Sequence, residues 1–121
     1  MINTVKTWLS AYPGLENLTL EALEPYPGSA GLFCKGAEVV RRSRDILGTR
    51  QLRQRLGFRL EWHTTAADMP QRLLDLSAWA RETAPTLGRD QTLTLEQGAM
   101  TRLDEEGTAR YGLHITFEFT Q

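Results

Sequence analysis

The sequence predicts a single α+β domain over residues 1–121, in which an antiparallel or mixed β-sheet packs against one long helix and a short N-terminal helix. Two segments, 52–64 and 108–120, alternate between apolar and polar residues, which is typical of half-buried strands in an antiparallel sheet. Between them, apolar residues recur at helical spacing. The chain of 121 residues contains no internal repeat and no interdomain linker, which fits one domain.

The first predicted element is a short helix with one apolar face, which Pro13 and Gly14 end. The residues of that face are Ile2, Val5, Trp8 and Leu9. A short strand is expected within 18–23. The prolines and glycines over 25–31 indicate a loop after it.

The clearest predicted strand is 52–64, in which Gly57 indicates a bulge or a strong twist. Two extended pieces, 32–35 and 38–44, precede it, and a turn at 48–49 leads into it. Its apolar face consists of Leu52, Leu56, Phe58, Leu60 and Trp62. Its polar face consists of Arg53, Arg55, Arg59, Glu61 and His63.

The second helix is expected to begin near Thr65 or Asp68, since either side chain can accept a hydrogen bond from a free backbone N–H group. Pro70 then lies in the first turn, where its missing N–H costs little. Pro85 and Gly88 close the helix. Its apolar stripe consists of Met69, Leu73, Leu76 and Ala80, with Leu74 and Trp79 beside them.

The C-terminal part predicts a hairpin of strands 99–103 and 108–120, joined by an acidic turn that ends in Gly107. Segment 92–95 is either an extra strand or a connecting arm. The core face of the last strand consists of Ala109, Tyr111, Leu113, Ile115, Phe117 and Phe119.

Chemistry-bearing residues do not form a recognisable active site. His63 and His114 lie on the polar faces of two strands, but a metal site there would need further ligands. Cys34 lies in a strand-like run and is expected to be a small core residue. The acidic residues 104–106 are typical of a solvated turn. We therefore expect no enzyme, with no catalytic residue, no cofactor-binding residue and no metal ligand.

The composition predicts no strong attraction of this protein to a membrane or to a nucleic acid. The net charge is −1, and no run of about 18 apolar residues is present that could span a bilayer. The N-terminus lacks the pattern of a signal peptide. A single cysteine fits a reducing compartment, so we expect a cytoplasmic protein.

Arginine is concentrated in one segment, 41–59, which contains seven arginines and one acidic residue, Asp45. The seven are Arg41, Arg42, Arg44, Arg50, Arg53, Arg55 and Arg59. One interpretation is the solvent face of a hairpin. A second is an interface that meets the acidic surface of another copy, head to tail, and so closes into a ring. A third is contact with a nucleic acid or another anionic partner.

Several segments together resemble a family of small prophage proteins of Firmicutes. These segments read WLSAYPGL at 8–15, LTLEALEP at 18–25, PGSAGLF at 27–33, GTARY at 107–111 and FEFT at 117–120. The family is similar to phage minor capsid or tail-terminator proteins, which are encoded among the head–tail assembly genes. The resemblance covers nearly the whole chain, and its motifs are structural.

The resemblance implies a structural protein of the phage head–tail junction that assembles into a ring, often a hexamer, at the end of the tail tube. Its implied partners are further copies of itself, the tail-tube proteins and the head connector, without a cofactor, a membrane or a specific nucleic acid. Its implied location is the bacterial cytoplasm during assembly, and the virion if the prophage is productive. The alternatives are a small ligand-binding or enzymatic α+β domain, and an adaptor that binds nucleic acid through segment 41–59.

Overall fold

A mixed sheet and two helices form the fold. The computed structural model describes residues 2–21, 29–44, 48, 50–64, 69–98, 101–102 and 109–120. In chain order the elements are α1 (Ile2–Ser10), β1 (Thr19–Leu20), β2 (Ala30–Arg44), β3 (Arg50–Thr64), α2 (Met69–Thr83), β4 (Arg89–Gln97), β5 (Thr101–Arg102) and β6 (Ala109–Thr120).

The sheet has the strand order β1-β2-β3-β6-β4, and the short β5 also pairs with β6. Strands β1 and β2 are parallel and every other described pair is antiparallel, so the sheet is mixed. This confirms the predicted α+β class. The prediction of one long helix is wrong, because α2 has 15 residues and a length of only about 22 Å.

The core lies between one face of the sheet, here called the helix-side face, and the two helices. The apolar faces predicted for the two long strands are confirmed there, since Phe58, Leu60, Leu113, Ile115 and Phe117 are buried. Residues of both helices belong to the same buried cluster: Val5, Trp8, Leu9, Leu73, Leu76 and Ala80.

Aromatic rings join the two helices to the sheet. The ring of Trp8 stacks on Trp79, with centroids 5.8 Å apart, and meets Phe117 edge to face at the same distance. The indole N–H of Trp8 also donates to the hydroxyl of Thr83 over 2.9 Å. A short α1 gains little stability from its own hydrogen bonds, so this tertiary packing holds it in place.

Three residues occupy environments other than those expected. Leu74 is 57% exposed, because it points away from the sheet on the outer side of α2. Cys34 is exposed and not a core residue, since the part of β2 around it is not covered by the helices. His63 was expected on the polar face but is only 7% exposed, and its backbone N–H donates to the carbonyl of Ser29.

Strand β2 is a single irregular strand where two extended pieces were expected. Its register against β3 shifts between Cys34 and Gly36, and again between Val39 and Arg41. The bulge predicted at Gly57 therefore lies on the facing strand. Segment 92–95 belongs to a true strand, β4, which pairs with β6. The predicted turn at 104–107 and most of the loop at 25–31 lie outside the described residues, while Gly31 is part of β2.

Candidate functional site

The β2–β3 hairpin extends beyond the other strands of the sheet. The described pairing of β3 with β6 ends at Arg53, opposite Thr120, and the pairing of β4 with β6 ends at Arg89, opposite the same residue. Three further pairs between β2 and β3 lie past this level. At the rise of an antiparallel strand, the hairpin therefore projects by about 10 Å.

The seven arginines of segment 41–59 do not form one surface, because they divide between the two faces of the hairpin. Arg41 lies opposite Arg53, on the outer face of the sheet away from the helices. Arg42 lies opposite Leu52, on the helix-side face. Successive residues of a strand point to opposite faces, and the register shift between Val39 and Arg41 decides which of the two arginines lies on which face.

Three arginines on β3, here called the base arginines (Arg53, Arg55 and Arg59), are bound within the sheet. Arg53 Nε lies 3.0 Å from Glu118 Oε1, and its Nη1 donates to the carbonyl of Asp90 over 2.9 Å. Arg55 bridges two carboxylates: its Nη1 lies 2.9 Å from Glu38 Oε1, and its Nη2 lies 3.4 Å from Glu118 Oε2. This ladder connects strands β2, β3, β6 and β4 across the outer face.

The base arginines also affect the ionisation of Glu118. The guanidinium of Arg53 donates to Glu118 and holds the pKa of that carboxyl below its ordinary value of 4.5. The positive charges of Arg53 and Arg55 lower the pKa further, and partial burial opposes them. Glu118 is therefore ionised at neutral pH and completes the ladder as a carboxylate.

Arg59, the third base arginine, lies in a second cluster on the outer face. Its Nε is 2.9 Å from Glu61, and Arg110 approaches the other oxygen of that carboxylate at 3.7 Å. The guanidinium also lies over the ring of Phe33, 4.8 Å from the centroid. The base arginines therefore bind residues of their own sheet.

The tip arginines, Arg41, Arg42 and Arg44, are exposed. Within the described ranges, none of them forms an ion pair with an acidic side chain. In the register of the two strands, Arg44 lies opposite Arg50 and Arg41 opposite Arg53. Arginines directly opposite each other in a sheet are unfavourable unless a carboxylate neutralises one of them, as Glu118 does for Arg53, and Arg41, Arg42 and Arg44 remain available to an anionic partner.

A shallow groove of about 160 Å³ lies on the hairpin, and we call it the hairpin groove. Its walls are Ala37, Glu38, Val39, Gln54 and Leu56. By register, Ala37 and Val39 belong to the helix-side face, yet both are exposed, Val39 by 39%. The helices thus leave part of the helix-side face of the hairpin uncovered. Sequence reasoning missed this groove, because it could not show where the cover of the helices ends.

The two histidines do not meet, although their strands pair. His63 lies opposite Arg110, whereas His114 lies opposite Arg59 and its Nδ1 is 3.1 Å from the ammonium group of Lys35. Over the described part of the chain, no group of three or more His, Cys, Asp and Glu side chains is placed to hold a metal ion.

Neither described helix has the length and apolar composition needed to cross a bilayer. In comparisons with known proteins, no family model matches this chain and no curated protein shows significant similarity to it.

Proposed function

We propose that this chain is a structural protein of the head–tail junction of a tailed phage, similar to a tail terminator, and that it self-assembles into a ring. The sequence resemblance over nearly the whole chain supports the phage assignment. The observation that carries self-assembly is the projecting hairpin with its exposed tip arginines, Arg41, Arg42 and Arg44. Its remaining partners would be the tail tube and the head connector.

Arginine suits a contact between protein subunits. Its planar guanidinium binds carboxylates through two parallel hydrogen bonds and is more weakly hydrated than the ammonium group of lysine. The base of the hairpin is already fixed by the ladder through Glu118, so association orders few additional side chains. A basic hairpin on one copy and an acidic surface on the next make a head-to-tail contact, which forms a ring where the rotation between subunits closes.

The test is a charge reversal at the tip, Arg41→Glu together with Arg42→Glu. Light scattering of the purified proteins should show self-association of the parent and its loss in the variant, and the variant should fail to complete tails in a phage complementation assay. The control is Lys6→Glu on α1, which reverses a charge far along the chain and should leave both readouts unchanged. A variant that assembles and completes tails like the parent would contradict the proposal.

A nucleic-acid-binding adaptor is the second candidate, because the tip arginines lie on both faces of a two-stranded ribbon. A ribbon of this kind fits the major groove of DNA. Fluorescence anisotropy with a labelled DNA duplex at several salt concentrations separates the two functions. Affinity that falls steeply with salt and is lost in the double variant would favour the adaptor.

A further inference from the structure

We propose that the hairpin groove of one subunit receives helix α2 of a second copy, with Leu74 in the groove and Asp75 and Glu82 near the tip arginines. This inference rests on the proposed self-assembly and names the surface that meets the hairpin. It follows from two exposed patches that lie on separate elements and are complementary in shape and charge.

Among the described residues, two large apolar side chains are exposed, Val39 at 39% and Leu74 at 57%. Val39 lines the hairpin groove, whereas Leu74 is on the outer side of α2. A single exposed apolar residue is ordinary on a protein surface. Here, however, Val39 lies in a concave surface and Leu74 on a convex helix, so the two surfaces are complementary in shape.

The groove side of the contact has the apolar Ala37, Val39 and Leu56 beside the polar Glu38 and Gln54, with positive charge at one end. By register, Arg42 lies opposite Leu52 and Arg44 opposite Arg50, so both exposed arginines follow Val39 along the same helix-side face. The base arginines are on the other face and are bound there. The charge available to a molecule in the groove is therefore that of Arg42 and Arg44.

The helix side of the contact is convex and mainly acidic. We call it the helix patch, and its residues are Leu74, Asp75, Ala78 and Glu82, all exposed. They share one side of α2, because residues three, four and seven positions apart lie on the same helical face. Asp75 accepts a hydrogen bond from Gln71 over 3.0 Å on this surface. The basic Arg81 lies at the margin of the patch, next to Leu74.

The contact is heterologous, since the two surfaces differ. Two hairpins cannot use the same patch on each other, because arginines would then face arginines. Each subunit carries one groove and one helix patch, so every copy can bind two neighbours. Repetition of such a contact gives a closed ring or an open chain.

The decisive experiment combines a groove variant, Arg42→Glu with Arg44→Glu, and a patch variant, Asp75→Arg with Glu82→Arg. Each should weaken self-association by about tenfold or more, measured by sedimentation or by size-exclusion chromatography with light scattering. An equimolar mixture of the two should assemble again, because the intact patch of the first binds the intact groove of the second and the acidic groove of the first binds the basic patch of the second. A chain with all four substitutions should assemble again, since the charges are exchanged and complementary.

Two further variants add a test at the apolar residue of the helix patch and a control for the change of charge. Leu74→Arg should abolish assembly without lowering the melting temperature, because the side chain is exposed in the single subunit. Glu96→Arg, on the free edge of β4, should assemble like the parent. Groove and patch variants that keep a native circular dichroism spectrum and still form rings would overturn this contact, while the proposed function would stand. A parent chain that remains monomeric, alone and with tail tubes, would overturn both.

Discussion

The base and the tip of the β2–β3 hairpin carry the same residue type in two different environments. At the base, Arg53 and Arg55 share the carboxylate of Glu118 between neighbouring strands. At the tip, Arg41 and Arg42 have no neighbouring strand beyond the hairpin itself in the described structure. Because Arg41 and Arg53 lie opposite each other, the comparison shows that the neighbouring strand decides the environment of an arginine: β6 with Glu118 lies beside Arg53 on β3 and not beside Arg41 on β2.

The largest expected effect on the free energy of unfolding is that of a substitution in the core beneath the base of the hairpin. Phe117 is fully buried between Phe58 and Trp8, so Phe117→Ala removes packing on both sides and should lower the free energy of unfolding by about 3–5 kcal/mol. Val39→Ala, in the uncovered part of the hairpin, should cost much less. Chemical denaturation measures both. Equal losses would show that the hairpin groove is part of the core.

The next largest effect on stability is expected at the base of the hairpin, and a smaller one at its tip. A double-mutant cycle of Arg53→Ala and Glu118→Ala should give a small favourable coupling free energy, as ion pairs near the surface do. Arg41→Ala should change the free energy of unfolding by no more than about 0.5 kcal/mol, as surface substitutions do. A coupling of zero would show that the ladder contributes nothing to stability.

The ladder also predicts a dependence on pH. Because the folded state holds the pKa of Glu118 below 4.5, this carboxylate stabilises the fold above its unfolded pKa and loses that contribution as the pH falls through the folded pKa. Glu118→Gln should therefore flatten the stability curve on the acid side of pH 4.5. Thermal melts between neutral and acidic pH measure the difference, and parallel curves for the parent and the variant would contradict it.

The smallest expected effect has the opposite sign. Arg44→Thr removes one member of a like-charge pair across the hairpin and introduces a residue with high strand propensity. It should raise the free energy of unfolding by a few tenths of a kcal/mol, about 0.2–0.5, and also weaken assembly. A loss of stability on this substitution would show that Arg44 supports the fold in the way that the base arginines do.

The sequence alone was sufficient to predict the strands and the helix stripe in which apolar residues recur at a regular spacing. Alternation over 52–64 and 108–120 predicted β3, β6 and the face that each buries, and these are confirmed. Helical spacing predicted the buried stripe of α2 but also placed Leu74 beside the core. The exposure of Leu74 depends on the width of the sheet beneath the helix, which a local pattern does not contain.

The candidate site was predictable only as a concentration of arginine. The face and the partners of each arginine depend on two features that have no local signature. One is the register shift before Arg41, which changes the face of the residues that follow. The other is the pairing of β3 with β6, which brings Glu118 to Arg53 from 65 positions away along the chain. Both are set by the whole sheet.

The strand order has a consequence for the timing of folding. Strand β6 is the last described strand to be synthesised, yet it lies between β3 and β4. At about 5–20 residues per second, the ribosome completes β3 and β4 seconds before the strand that joins them exists. During this interval the backbone edges of β3 and β4 have no β6 to pair with. Arg53 on β3 has no Glu118 to bind. A nascent chain therefore has no completed β2–β3–β6 sheet to hold the base of the hairpin, and the proposed assembly would have to wait until the sheet has closed.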